Sequence, residues 1–173
     1  MNEILQAIAN RRSTRHYAPD PVPEAALKAV LEAGLWAPTA RNAQEIHMTV
    51  LRDPELRAAF KKDLTDYDSA PRLKSFDYQA PVFIFLYGPA DFPYTELDTG
   101  IVAENMALAA EALGLGTVMI GCIRDFMRSP AAAPWREKLG MSDGDLFTLG
   151  LCLGAISAPT ASQPRKEGRV LLL

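Results

Sequence analysis

Between Asp98 and Gly121 the chain reads DTGIVAENMALAAEALGLGTVMIG, and no other stretch restricts the fold as much. From Ile101 to Leu113 only Glu104, Asn105 and Glu111 interrupt a run of apolar or small residues. A helix that is apolar on nearly every side belongs in a protein interior. Ala is the best helix former, and Ala103, Ala107, Ala109, Ala110 and Ala112 all fall in this run. Gly114 stands just past the last periodic residue, where a left-handed C-terminal cap is expected. Thr117-Val118-Met119-Ile120 is short, apolar and β-branched, which predicts a buried strand. The segment therefore predicts a central helix feeding a central strand. It is too short and too charged to cross a bilayer.

A chain of 173 residues, 49% hydrophobic and 23% charged, fits one globular domain over residues 1–173. Pro and Ser thicken only after Ser157, which marks residues 158–173 as a C-terminal arm. A net charge of −3 and a pI near 5.4 give no reason to expect nucleic acid as a partner. No uninterrupted apolar run at the N-terminus reads as a signal peptide. Cys122 and Cys152 stand 30 apart with no CxxC, which suits two structural thiols in a reducing cytoplasm. His16 and His47, without HExxH, give no zinc motif.

Ile4, Leu5 and Ile8 lie on one face of a predicted helix over residues 2–10. It runs into Arg11-Arg12-Ser13-Thr14-Arg15. Two readings stand. Cations favour a helix C-terminus, so this is a solvated helix end; or it is an anion site, because Arg presents a planar fork of donors matched to phosphate. Tyr17 leads into Pro19, Pro21 and Pro23, an extended link. Leu27, Val30, Leu31 and Leu35 make the apolar stripe of a second helix over 24–36. The turn Ala37-Pro38-Thr39-Ala40-Arg41-Asn42-Ala43-Gln44 is either a helix N-terminus capped by Thr39 or an array of amide donors and acceptors for the edge of a planar heterocycle.

Strands are predicted near 47–52, 82–87, 116–120 and 146–153, with a helix from Asp53-Pro54 to about Leu64. The polar stretch from Asp63 to Tyr78 reads as a lid or a surface excursion. One or two short helices fit residues 124–139 around Pro130 and Pro134. Val170-Leu171-Leu172-Leu173 are expected to be buried, as a strand added to an exposed sheet edge of this chain or of a partner. Gly114, Gly116 and Gly121 are no dinucleotide fingerprint, because that motif follows a strand and opens a helix, and here the order is reversed. Asp98-Thr99-Gly100 opens a helix and reads as a cap rather than as an aspartic-protease triplet.

Three segments together resemble the nitroreductase family of FMN-dependent oxidoreductases. Arg11-Arg12-Ser13-Thr14-Arg15 resembles that family's R-R-S-x-R, and residues 37–44 are similar to its A-P-S-x-x-N-x-Q. Asp98 through Gly121 is similar to its D-x-G…N-x-x-L-A-A-x-x-L-G-L-G-T…I-G. The resemblance implies an α+β fold with a mixed central sheet flanked by helices, in a homodimer with exchanged C-terminal arms and a fifth strand at 169–173 on the partner.

It also implies site roles. Arg11, Arg12 and Ser13 would hold the FMN phosphate and ribityl chain, and Arg15 would reach the flavin pyrimidine edge. Pro38, Thr39, Asn42 and Gln44 would contact the flavin from the other subunit. Ile120 and Gly121 would line the ring, with Arg165 and Lys166 adding charge at the phosphate. The implied activity passes hydride from NADH or NADPH through flavin N5 to an electron-poor acceptor such as a nitroaromatic, quinone or enone. The flavin carries that chemistry, so no side chain need be catalytic. A flavin-binding protein without turnover, or specialised flavin chemistry such as dehalogenation, are the rival readings. The sequence departs from the family pattern at Glu45-Ile46, where Pro and an aromatic are usual, and at Thr39, where Ser is usual.

Overall fold

A computed structural model describes residues 2–173. In chain order the elements are α1 (Glu3–Asn10), α2 (Glu24–Leu35), β1 (His47–Leu51), α3 (Pro54–Tyr67), α4 (Pro71–Lys74), β2 (Val82–Pro89), α5 (Thr95–Ala112), β3 (Leu115–Ile120), α6 (Arg124–Met127), α7 (Ala133–Lys138) and β4 (Asp145–Ala155). Short 3₁₀ turns occupy Ala40–Asn42 and Pro130–Ala132. Local chemistry sets several boundaries. Asn2 and Asp53 start α1 and α3 by accepting the N–H of Leu5 at 2.9 Å and of Leu56 at 2.8 Å. Pro54 sits in the first turn of α3, where a missing N–H costs nothing. The α5 helix ends on Gly114 at φ 72°, the left-handed cap its position predicts.

The sheet runs β1-β2-β4-β3, and every neighbouring pair is antiparallel. The central β2 is buried from Val82 to Gly88, because helices cover both of its faces. Side chains alternate between two cores, as the period of a strand requires. Phe83 and Phe85 join Phe60 and Leu64 of α3, Phe126 of α6 and Trp135 of α7. The Phe60 ring meets Phe76, Phe85, Phe126 and Trp135 edge-on, at 5.1–5.8 Å between centroids. Val82, Ile84 and Leu86 face Leu27 and Val30 of α2 and Val102 and Met106 of α5.

The structure corrects three sequence expectations. The first concerns β3, which lies at an edge of the sheet and not at its centre. It is buried all the same, because α5 packs beside it and the segment around Ser13 runs along it, with a parallel bridge from Ser13 to Thr117. That bridge is the only parallel pairing among the described residues. Second, the stretch from Asp63 to Tyr78 is no lid. Its first part completes α3, and Leu73, Phe76 and Asp77 are buried, so it belongs to the aromatic core. Third, Leu35 does not share the buried stripe of α2: with Trp36 it stands exposed.

Of the two placements open to the arm, the single chain shows that its own sheet edge is not used. Residues 169–173 pair with no strand of their own chain, and Val170–Leu173 are 79–113% exposed. The α1 helix forms as its periodicity predicts, yet Ile4, Leu5 and Ile8 are also left uncovered.

Candidate functional site

The cationic segment begins where α1 ends and runs along the edge strand β3 to the end of β4. Thr14 N–H donates to the Thr117 carbonyl at 2.8 Å, and Thr14 is buried against Gly116. A Cβ at Gly116 would stand 2.4 Å from Thr14 Oγ1, so only glycine admits this approach. Further along, Tyr17 bridges Ile156 beyond the end of β4, and Ala18 N–H donates to the Ala155 carbonyl at 2.9 Å. Residues 13–18 are thereby held at both ends.

The three arginines differ in what they meet. Arg11 Nε lies 3.2 Å from Glu104 of α5. Arg12 donates to the carbonyls of Ala9 at 2.7 Å and Arg11 at 2.8 Å, and to Ser162 Oγ at 2.9 Å. The helix-end reading of this cluster therefore holds for Arg12, which satisfies carbonyls at the close of α1. Among the described residues Arg15 donates only to the Ser13 carbonyl, at 3.2 Å, and its guanidinium lies 5.7 Å from the centroid of the Tyr78 ring. Arg15 makes no ion pair among the described residues.

The loop from Pro38 to Gln44 carries three non-glycine residues in left-handed backbone: Arg41 at φ 58°, Asn42 at φ 54° and Gln44 at φ 55°. Thr39 accepts the Gln44 N–H on its hydroxyl at 3.0 Å, and Gln44 Nε2 donates to Asn42 Oδ1 at 3.0 Å. The expected cap at Asp98 is not one. The α5 helix begins earlier, at Thr95, so Asp98 falls inside its first turn. Its buried carboxylate reaches out of the helix and accepts the Ala40 N–H on both oxygens, at 3.0 and 3.1 Å. Pro38, Asn42 and Gln44 line an open cavity of about 470 Å³ beside the exposed Trp36.

Ile120 is buried in the aromatic core, so its side chain offers no free surface. Gly121 is exposed, with nothing within 4 Å of where a Cβ would stand; a flat group there would meet backbone. Arg165 and Lys166 are exposed on the arm and make no ion pair among the described residues. One chain thus brings Arg11, Arg12, Ser13 and Arg15 together, with Tyr78 and Ser162 beside them. It gathers Pro38, Thr39, Asn42 and Gln44 around Asp98. No side-chain hydrogen bond or ion pair among the described residues joins the two groups.

Sequence reasoning missed Tyr78, which it named only as the end of a polar stretch. It also missed Tyr17, whose buried hydroxyl has no partner among the described residues and whose phenol is pushed far up in pKa by that burial. Neither carries a local signal, because each depends on a neighbour far away in sequence.

An antiparallel sheet in an α+β fold, a cationic segment laid along its edge strand and a strained amide-bearing loop together define the class of this protein. The chain belongs to the nitroreductase family: the sequence model of the Nitroreductase family matches residues 8–155. It is 31% identical to the NADPH-flavin oxidoreductase of Vibrio harveyi, over 99% of this chain and 73% of that protein. A nitroreductase with bound FMN from Bacteroides fragilis shares the fold at a TM-score of 0.88 over 100% of both chains, with 24% identity. A protein from Desulfovibrio desulfuricans solved in complex with FMN is 29% identical, with a TM-score of 0.76 over 100% of this chain and 97% of that one.

Proposed function

We propose that the chain is a single-domain FMN-dependent NAD(P)H oxidoreductase that works in the cytoplasm as a homodimer and reduces an electron-poor acceptor such as a nitroaromatic, quinone or enone. The observation that carries this reading is the state of the arginine segment. A phosphorylated planar cofactor needs rigidly placed cations; residues 13–18, Arg15 among them, are pinned to the sheet at both ends, and Arg11 and Arg12 directly precede them. It also needs a flat, open place for a ring, and Gly121 leaves one. The donor set therefore fits FMN. Relatives whose names specify flavin or FMN support the same cofactor.

Bound FMN supplies hydride acceptance and return at N5; the chain binds, orients and tunes it. Arg11, Arg12 and Ser13 hold the phosphate and ribityl chain, and Arg15 meets the pyrimidine edge. Arg165 and Lys166 add charge at the phosphate, and the backbone of Ile120-Gly121 backs the ring. Pro38, Thr39, Asn42 and Gln44 come from the second subunit, which fits their separation from the arginines within one chain. Uncovered apolar residues support the dimer: Ile4, Leu5, Ile8, Trp36, Leu97 and the run Val170–Leu173 are all exposed in a single chain.

Among the described residues, no helix is long and apolar enough to cross a membrane. The test is stopped-flow mixing of the FMN-loaded protein with NADH or NADPH. Rapid bleaching of the flavin followed by reoxidation with a quinone supports the enzyme. Bound flavin that no nicotinamide reduces favours a binding protein without turnover.

A further inference from the structure

Arg15 is held without being neutralised. Its neighbour Arg11 is matched by Glu104, and Arg12 directs Nη1 to two carbonyls and Nη2 to Ser162. Arg15 has one carbonyl, that of Ser13, and the face of Tyr78. The difference is chemical. A carboxylate would fix a guanidinium and also cancel its charge. An aromatic face attracts the cation through the ring quadrupole and leaves the N–H edges and the net charge free.

Tyr78 is itself held at a cost. Its backbone is left-handed at φ 47°, and that of Gln79 follows at φ 60°. Left-handed backbone at a bulky non-glycine residue persists only where surrounding contacts over-determine it. Those contacts are present. Tyr78 N–H donates to the Ser75 carbonyl at 3.0 Å, and Ala80 N–H to the Asp77 carbonyl at 2.8 Å. The buried Asp77 side chain accepts the Gln79 N–H at 3.3 Å and is paired with Lys61 at 3.1 Å and Arg57 at 3.4 Å. Cys152 Sγ–H points to the Asp77 carbonyl at 3.4 Å from the sheet beneath. A buried ion network thus fixes a strained turn, and the strained turn presents an aromatic ring to an unpaired arginine.

We propose that Tyr78 is the positioning residue for Arg15: its ring face fixes the guanidinium beside the flavin pyrimidine edge with its charge unspent. The inference rests on the reading above that Arg15 meets that edge. FMN gains negative charge there on reduction, and a fixed, unpaired cation favours the reduced form over the oxidised one. Tyr78 therefore acts on the potential through Arg15 and needs no contact with the flavin.

The test compares Tyr78→Phe, Tyr78→Asn, Arg15→Ala and the double variant Tyr78→Asn/Arg15→Ala, each as the FMN-loaded protein. Asn tolerates left-handed backbone, so Tyr78→Asn removes the ring and spares the turn. The readouts are the two-electron midpoint potential and the dissociation constant of oxidised FMN. Tyr78→Asn should lower the preference for reduced over oxidised FMN about two- to fivefold, the size of an exposed cation–π contact. That is a potential about 10–20 mV more negative, at about 30 mV per tenfold for a two-electron couple. Tyr78→Phe should keep the wild-type potential.

Arg15→Ala should shift the potential further in the same direction, and adding Tyr78→Asn to it should change nothing more. If Arg15→Ala shifts the potential and Tyr78→Asn does not, Tyr78 has no positioning role and the flavin site stands. If Tyr78→Asn shifts it equally with and without Arg15, Tyr78 acts on its own and the proposal fails. If Arg15→Ala binds FMN at unchanged potential, the placement of Arg15 is wrong and the role of Tyr78 falls with it.

Discussion

Replacing Asp98 by Ala removes the acceptor of the Ala40 N–H at the head of the strained loop. A hydrogen bond to a charged group contributes about 1.5–3 kcal/mol. The loop needs such anchors, because left-handed backbone at Arg41 and Gln44 costs about 1–3 kcal/mol at each residue. Asn42 is better suited to that conformation and costs less. Without Asp98 the remaining anchors within the loop are the Thr39–Gln44 and Gln44–Asn42 contacts and the 3₁₀ turn itself.

The loop should then relax toward ordinary backbone and move Pro38, Asn42 and Gln44. Asp98→Ala is expected to lower unfolding free energy by about 1.5–3 kcal/mol. For a chain of this length that is a fall in Tm of about 3–12 °C by calorimetry. FMN affinity, measured by fluorescence titration, should weaken about tenfold, or about 1.4 kcal/mol, although Asp98 has no placed contact with the cofactor. Asp98→Asn keeps an acceptor oxygen and should lose about half as much. Asp98→Ala with FMN affinity changed less than about twofold and Tm moved less than about 1 °C would refute the claim that this carboxylate holds the loop.

Gly116→Ala should cost about 1–3 kcal/mol and weaken FMN binding as well, because its Cβ would stand 2.4 Å from Thr14 Oγ1 and displace the arginine segment; an unchanged Tm would show that Thr14 can swing away. Deleting residues 169–173 removes Val170 to Leu173, each contributing about 1.5–3 kcal/mol if fully buried on a partner. Sedimentation should then report a weakened dimer and absorbance a lost flavin, whereas a truncated protein that stays dimeric and yellow means the arm is dispensable. Burial raises the thiol pKa of both Cys122 and Cys152 above the ordinary 9.0.

Alkylation by iodoacetamide at pH 8 should therefore be slow at Cys122 and absent at Cys152 until the chain unfolds. The folded chain holds these protons more tightly than the unfolded one, so stability should fall as pH rises above about 9. Rapid labelling of Cys152 in the native protein would contradict its burial.

Sequence pattern was enough wherever one segment's own chemistry settles its state. The Ala-rich run and Gly114 specified the body and end of α5, and Asp53-Pro54 specified the start of α3. The unbroken run from Val82 to Tyr87 specified a strand covered on both faces. The family was legible in the order of three segments, and with it the candidate arginines and the amide loop.

What the pattern left open was every relation between segments distant in sequence. The placement of β3 at an edge follows from pairing with β4 alone, while its burial comes from α5 beside it and from the segment around Ser13, about a hundred residues earlier. Asp98 reads as a local cap because cap residues and loop anchors are the same residue types; only the packing of α5 beside the Ala40 turn turns its carboxylate outward. Tyr78 and Arg15 show no common period, since an aromatic face and a cation meet through the fold of two loops. Hydrophobic periodicity records which face of an element is buried; it holds no record of which distant polar group waits on the other side, and that is set when the elements dock.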